Sequence, residues 1–375
     1  MRYYLVAGEA SGDLHGANLM RALKAQDAAA EFRYFGGDKM KAEGGELVKH
    51  YSDMAYMGFL EVVLNLRTIL KNMKTCKNDI LAHQPDALIL IDFPGFNLKI
   101  AEFAKEQGIR VFYYISPKVW AWNQKRVLKI KRVVDRLFCI LPFEVAFYKS
   151  WGMDVDYVGN PLLDEIARFK PDTSFRVQHQ LTDQRIIALL PGSRVQEIER
   201  LLPVMLTLTE QLPGYQFVVA GAPAFSADYY QQFFGDKKVK LVFNQTYDLL
   251  HHAQAAVVAS GTANLETALL KIPQVVVYKG SPISIAIARM VVKIRFISLV
   301  NLIMDRKVVE ELIQEDCNPT KVFEHLESLL DGQQRLQQLA DYDALATLMG
   351  EPGASDRTAS LILEDLGEPP TQNTI

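Results

Sequence analysis

The residues best placed to do chemistry sit where apolar runs break into polar loops. The run Tyr3 to Ala7 breaks into Gly8-Glu9-Ala10-Ser11-Gly12-Asp13, and a helical pattern follows from about His15. A strand feeding a glycine-bearing loop and a helix gathers free backbone N–H groups at a positive helix end, which suits an anion. Two carboxylates, Glu9 and Asp13, argue instead for a place where a neutral hydroxyl is oriented or deprotonated. The loop lacks G-x-G-x-x-G and P-loop spacing, so neither NAD nor ATP is expected. Its plainer alternative is a tight turn in which Asp13 caps the helix. His15 reads as an ordinary first-turn histidine.

A second group lies in the other half of the chain. Arg194 follows Leu189-Leu190-Pro191-Gly192-Ser193, where a strand ends and the helical pattern Glu197 to Leu208 begins. A guanidinium there can fork onto a diphosphate, with Ser193 beside it. Ser260-Gly261-Thr262 opens another helix, and its hydroxyls and N–H groups supply further donors. One helix terminus contributes about 0.3 to 1 kcal/mol and a charge-assisted hydrogen bond about 1.5 to 3, which makes Arg194 the larger contributor. Glu266, one turn on, could accept from the two hydroxyls of a ribose. The alternatives are a surface ion pair of Arg194 with Glu197 or Glu199, and a solvated helix face for Glu266. No aspartates at metal spacing accompany these donors, so no metal and no other cofactor is expected, and activity should survive chelation.

Elements must hold these loops in place. Short apolar runs alternate with helical segments: Tyr3 to Ala7, Phe32 to Gly36, Ala87 to Asp92, Arg110 to Ile115 and Arg136 to Leu141. After a polar stretch, Phe169 to Gln184, the alternation resumes with Ile186 to Leu190, Gln216 to Ala220, Val239 to Phe243, Ala255 to Ala259 and Gln274 to Tyr278. This predicts an α/β chain of two doubly wound parallel-sheet domains, in which ligands sit at the carboxyl ends of strands. Residues 1–165 and 166–345 form the two domains and 346–375 a C-terminal helix and tail, with only the tail after Gly367 reading as disordered. The length of 375 residues suits two cores, and 49% hydrophobic with 23% charged residues reads as soluble and globular. A net charge of -3 makes no electrostatic case for nucleic acid. Cys76, Cys139 and Cys317 are scattered, as buried thiols in a reducing compartment would be. The start resembles no secretory leader, and the longest apolar stretch, Ile283 to Val300, is broken by Arg289, Lys293 and Arg295.

Taken in order, these junctions resemble the lipid A disaccharide synthase family, inverting glycosyltransferases of the GT-B fold. The resemblance rests on Gly8 to Asp13, Ile91-Asp92-Phe93-Pro94-Gly95-Phe96-Asn97, Ser116-Pro117-Lys118-Val119-Trp120-Ala121-Trp122 with Gln124-Lys125-Arg126, and Leu141-Pro142-Phe143-Glu144. It continues through Leu189 to Arg194, Ala259-Ser260-Gly261-Thr262-Ala263 and Ser298-Leu299-Val300-Asn301-Leu302. It implies two Rossmann-like domains facing a cleft, with a C-terminal helix near Ala354 to Leu366 returning to the first. It also implies transfer of diacylglucosamine from UDP-2,3-diacylglucosamine to 2,3-diacylglucosamine 1-phosphate, giving a β-1,6 tetraacyl disaccharide 1-phosphate and UDP. Asp92 matches the position expected of the base, while Glu9, Ser11 and Asn301 match positions tied to activity and read as positioning groups. Lys118 and Val300 depart from the family pattern, which has a small polar residue and a proline there. The rivals are a peptidoglycan-type N-acetylglucosaminyltransferase, a UDP-sugar 2-epimerase, and a non-catalytic lipid- or nucleotide-binding module.

Lipid substrates ask for a surface as well as a pocket. Met57 to Leu70, followed by Lys71, Lys74 and Lys77, reads as an amphipathic helix lying on a membrane, with Leu66 and Ile69 on its apolar side. Lys125, Arg126, Lys129, Lys131 and Arg132 face only one acid in the local sequence, Asp135, and read as a site for acceptor phosphate or anionic headgroups. The expected location is therefore the cytoplasmic face of the inner membrane, held peripherally, as a monomer or homodimer.

Overall fold

The computed structural model describes residues 1–54, 66–281 and 295–367. Two compact units divide the chain, one formed by Met1–Asp164 with Glu351–Ile375 and the other by Glu165–Gly350.

The first unit is a parallel sheet of β1 (Arg2–Ala7), β2 (Glu31–Gly36), β3 (Glu46–His50), β4 (Ala87–Ile91), β5 (Arg110–Tyr114), β6 (Arg136–Cys139) and β7 (Asp156–Tyr157). Their order is β3-β2-β1-β4-β5-β6-β7. Tyr3 pairs with Phe32 on one side of β1 and with Ala87 on the other, so the winding reverses between β1 and β4. Both faces are covered, which is why Ala87–Ile91 reads as an unbroken apolar run. Tyr4, Val6, Leu88 and Leu90 pack on one face and Tyr3, Leu5, Ile89 and Ile91 on the other, the period-2 alternation of a strand. The second face is closed by Ala359, Ile362 and Leu363 of the helix Ala354–Asp365, which returns to this unit as expected. Arg357 ties it down by donating Nε to the Val158 carbonyl at 2.8 Å, and Arg136 donates to the Leu361 carbonyl at 2.9 Å.

The second unit repeats the plan with β8 (Ile186–Leu190), β9 (Gln216–Gly221), β10 (Val239–Phe243), β11 (Ala253–Ala259), β12 (Gln274–Tyr278) and β13 (Glu310–Ile313), in the order β10-β9-β8-β11-β12-β13. The helix Gln333–Met349 belongs to this unit, so the chain leaves it at Glu351.

Two expectations change. The first helix begins at Ala10, not near His15, because Ser11, Gly12 and Asp13 form its first turn. Strands β3, β7 and β13 lie at sheet edges, where charged residues such as Glu46, Lys49 and Glu310 break the apolar signal that marks interior strands. Residues 57–65 of the membrane-helix expectation, and the tail beyond Gly367, lie outside the described residues.

Candidate active site

In the first unit the loops after β1 and β4 are packed into one another. A Cβ on Gly8 would overlap the Phe93 ring, so glycine is the residue that lets the two loops close. Asp92 and Phe93 both occupy left-handed backbone, with φ of 44° and 48°. Two successive non-glycine residues there store on the order of 1–3 kcal/mol each, strain that persists only where the surroundings over-determine it. They do: the Asp92 N–H donates to the Tyr114 carbonyl at 3.1 Å. The Asp92 carbonyl accepts from Asn97 Nδ2 at 2.8 Å and from the Tyr113 hydroxyl at 2.5 Å. Asn97 Nδ2 also reaches the carbonyls of Val6 and Ile91, at 3.3 and 3.2 Å, joining the ends of both strands.

The backbone of Asp92 is thus fully engaged, while among the described residues its carboxylate takes only the N–H of Phe93. Burial pushes that carboxyl above the usual range, Lys118 pulls it back, and Glu9 pushes it up further. Glu9 is the N-cap of Ala10–Gln26 but its side chain makes no cap bond, which leaves it facing Asp92; Ser11 is exposed in the first turn.

Asp13 does not share this role. Its Oδ1 accepts from the N–H groups of Gly37 (2.7 Å) and Met40 (3.0 Å) and its Oδ2 from Lys39 (3.0 Å), so it caps the helix Asp38–Ala42. The expectation of two carboxylates facing hydroxyls reduces to one, because the first helix starts early and turns Asp13 inward. His15 is also turned inward: burial lowers it to about 4, leaving it neutral.

Lys118 stands on the loop after β5, and that loop is anchored from beneath by a residue that the sequence placed in a motif, Leu141-Pro142-Phe143-Glu144, without a role. Glu144 is 1% exposed; its Oε1 accepts from Trp120 Nε1 at 3.1 Å and its Oε2 from the Leu141 N–H at 3.0 Å. Ser116 and Tyr148 share a hydroxyl bond of 2.8 Å beside it. A lone acid inside the apolar stretch Leu141 to Tyr148 was the available signal. Burial raises Glu144 to about 7 from an ordinary 4.5. Between those values the folded chain keeps a proton that the unfolded chain has lost, so rising pH favours unfolding by about 1.4 kcal/mol per unit. Chemical denaturation at pH 4.5 and 7.5 should therefore show wild type losing on the order of 3 kcal/mol more than Glu144→Gln across that window. Parallel curves for the two proteins would show that Glu144 is not held protonated.

The basic run is mostly spent within the fold. Lys129 and Arg132 pair with Glu102 of the neighbouring helix Pro94–Glu106, Lys131 donates to the Gly152 carbonyl, and Asp135 is taken by Lys105. The acid missing from the local sequence is supplied from another element. Lys125 is exposed, and Arg126 stacks on Trp122 at 5.0 Å.

In the second unit, Arg194 caps Val195–Leu206 and is 73% exposed, its Nη1 only 3.4 Å from Glu197 Oε1. Glu197 folds back over Gly192, which has φ of 100° and no room for a Cβ, and its Oε2 accepts from the N–H groups of Ser193 (3.1 Å) and Arg194 (3.3 Å). Those two amides are occupied by an internal carboxylate, so the donors left there are the Arg194 guanidinium and the Ser193 hydroxyl.

Ser260 likewise is committed, its N–H to the Val277 carbonyl and its hydroxyl to the Ile297 carbonyl, both at 3.0 Å. It can accept from a ligand but not donate. The N–H groups of Gly261 and Thr262 carry no backbone bond among the described residues and remain the donors of this loop. Glu266 is half-buried, not solvated, and accepts from the Tyr247 hydroxyl at 2.8 Å, a partner the sequence did not signal.

Asn301 is fully buried and saturated. Its Oδ1 accepts from Val308 and Val309 at 2.7 and 2.9 Å, and its Nδ2 donates to the Val309 carbonyl and Glu311 at 2.9 and 2.8 Å. Glu311 also accepts from Ile297 and Ser298, both at 2.9 Å, which links Asn301 to the segment that receives the Ser260 hydroxyl. Val300, buried in the first turn of Leu299–Met304, leaves this arrangement undisturbed.

Comparisons with known proteins bear on the family and the fold. A family model described as lipid-A-disaccharide synthetase matches residues 3–363. The lipid-A-disaccharide synthase of Syntrophus aciditrophicus is 42% identical over 368 residues, covering 96% of each chain. That of Myxococcus xanthus is 40% identical over 371 residues, covering 97% of each. In fold, the chain is similar to the UDP-GlcNAc 2-epimerase of Methanocaldococcus jannaschii in complex with UDP-GlcNAc and UDP, with a TM-score of 0.66, 13% identity and coverage of 97% and 100%. It is equally similar to the glycosyltransferase of kitacinnamycin, with a TM-score of 0.68, 13% identity and coverage of 97% and 99%.

Proposed function

The chain belongs to the lipid-A-disaccharide synthase family, and from that premise we propose that it transfers 2,3-diacylglucosamine from UDP-2,3-diacylglucosamine to 2,3-diacylglucosamine 1-phosphate with inversion. The observation that carries the chemistry is the Asp92 carboxylate, raised by burial and left unspent on a strained, fully bonded turn. It removes the proton of the acceptor's 6-hydroxyl as that oxygen attacks the anomeric carbon. The anomeric C–O bond breaks on the opposite face, and its electron pair leaves with UDP. Glu9 and Ser11 orient the acceptor. Arg194 meets the diphosphate together with the N–H groups of Gly261 and Thr262, Ser193 and Ser260 line the loops, and Glu266 holds the ribose. The relatives' family makes an epimerase or a peptidoglycan-type transferase the weaker reading, since likeness in fold alone does not carry a reaction.

A coupled assay of UDP release tests this. Release is expected only when donor and lipid-sugar phosphate are both present; release with an unacylated acceptor, or binding of both without release, would overturn the reading.

Among the described residues no helix is long and apolar enough to cross a membrane. We place the chain peripherally on the cytoplasmic face of the inner membrane, where Leu66 and Leu70, each 52% exposed, and Trp122 beside Lys125 and Arg126 meet the lipid. Ile69, expected on the apolar side, is half-buried, so Leu66→Glu combined with Leu70→Glu should release the protein from anionic vesicles in a sedimentation assay without lowering its Tm. Unchanged partition removes this surface from the account.

A further inference from the structure

A pocket of about 290 Å³ opens where β12 and β13 end, and two cations line it. Arg200, on the helix Val195–Leu206, has its Nη1 shut off from solvent with no acceptor among the described residues. Lys279, directly after β12, is half-buried and forms no ion pair among the described residues. A buried guanidinium N–H without an acceptor carries an uncompensated desolvation cost, and a second cation in the same pocket adds repulsion. Both penalties are relieved by an anion. Glu315 lines the same pocket, yet it is exposed and pairs with neither cation, so the pocket does not neutralise itself.

Position ties this pocket to the nucleotide loops. Ser260 donates its N–H to Val277, two residues before Lys279, on the strand adjacent to its own. Arg200 lies on the helix that Arg194 caps. Gly280 is held by its N–H to Gln314 Oε1 at 2.7 Å, which fixes the chain just after Lys279. The volume is at the small end of ligand pockets, which run from about 300 Å³, so it takes a fragment of a substrate and not a whole lipid-sugar.

We propose that Arg200 and Lys279 form a second anion subsite that takes a phosphate group of the substrates. The inference rests on the transferase reading, whose two substrates each bring phosphate: the donor's diphosphate and the acceptor's 1-phosphate. Neither cation was singled out by the sequence, since both stand one element away from the loops that carry the motifs.

Lys279→Met, which keeps the aliphatic stem, and Arg200→Met provide two independent tests in the full-length chain. Titration calorimetry with UDP, uridine and inorganic pyrophosphate should show UDP and pyrophosphate weakened about tenfold or more with uridine unchanged, if the donor's diphosphate is the ligand. If the acceptor's phosphate is the ligand, UDP binding stays constant, while the acceptor KM rises by a similar factor and the donor KM does not. Either pattern supports the subsite and assigns its source. Equal loss of uridine and UDP, or no change in any of these constants for a folded Lys279→Met, overturns it. Wild type that binds pyrophosphate but releases no UDP would defeat the transferase reading and leave the subsite standing.

Discussion

Replacing Asp92 by asparagine should lower turnover by at least about 10²-fold while UDP binds as in wild type. The substitution is nearly isosteric, the N–H to Tyr114 and the carbonyl to Asn97 and Tyr113 belong to the backbone, and the Phe93 N–H that the carboxylate accepts can be accepted equally by the asparagine oxygen. The loss therefore reports the proton acceptor and not the loop. The pH profile of kcat/KM gives an independent check. A base acts when deprotonated, so the rate rises through its pKa on the acid side, and burial places that limb above the ordinary carboxylate range. Lys118 pulls the Asp92 carboxyl down and Glu9 pushes it up. Lys118→Met should move the acid limb to higher pH, and Glu9→Gln should move it to lower pH. Near-normal turnover in Asp92→Asn would reassign the base to Glu9.

Arg194→Gln should weaken UDP binding, and kcat/KM with it, by about 10- to 100-fold with no change in Tm. The expected size follows from losing a charge-assisted hydrogen bond of about 1.5–3 kcal/mol. The absence of a stability effect follows from exposure: at 73% exposed, with one long contact to Glu197, the side chain supports little of the fold. Arg194→Lys should recover only part of the loss, because an ammonium cannot fork onto two oxygens. Full activity in Arg194→Gln would move the leaving-group role to the Gly261 and Thr262 amides.

The two sheets and their interior strands were legible because a strand buried on both faces must be apolar throughout, as Ala87–Ile91 and Ile186–Leu190 are. Strand ends were legible for the same reason, since polar loops interrupt those runs, and Asp92, Arg194 and Ser260 follow directly from them. The edge strands β3, β7 and β13 escaped notice because their charges are tolerated where one side faces solvent, whereas β10, also at an edge, kept a legible apolar run. Lys129 and Arg132 of the basic run misled because their counter-charge, Glu102, arrives from a different helix.

Residue type and order alone determined which loops could carry chemistry and in which unit each would lie. Tertiary structure decided which polar atoms in those loops are left over. Each buried donor or acceptor must find a partner, and partners come from distant parts of the chain. Asp13, Asn301, the Ser260 hydroxyl and the Ser193 amide are consumed that way. The Asp92 carboxylate and the Arg194 guanidinium are left available, and spacing along a sequence carries no record of that difference.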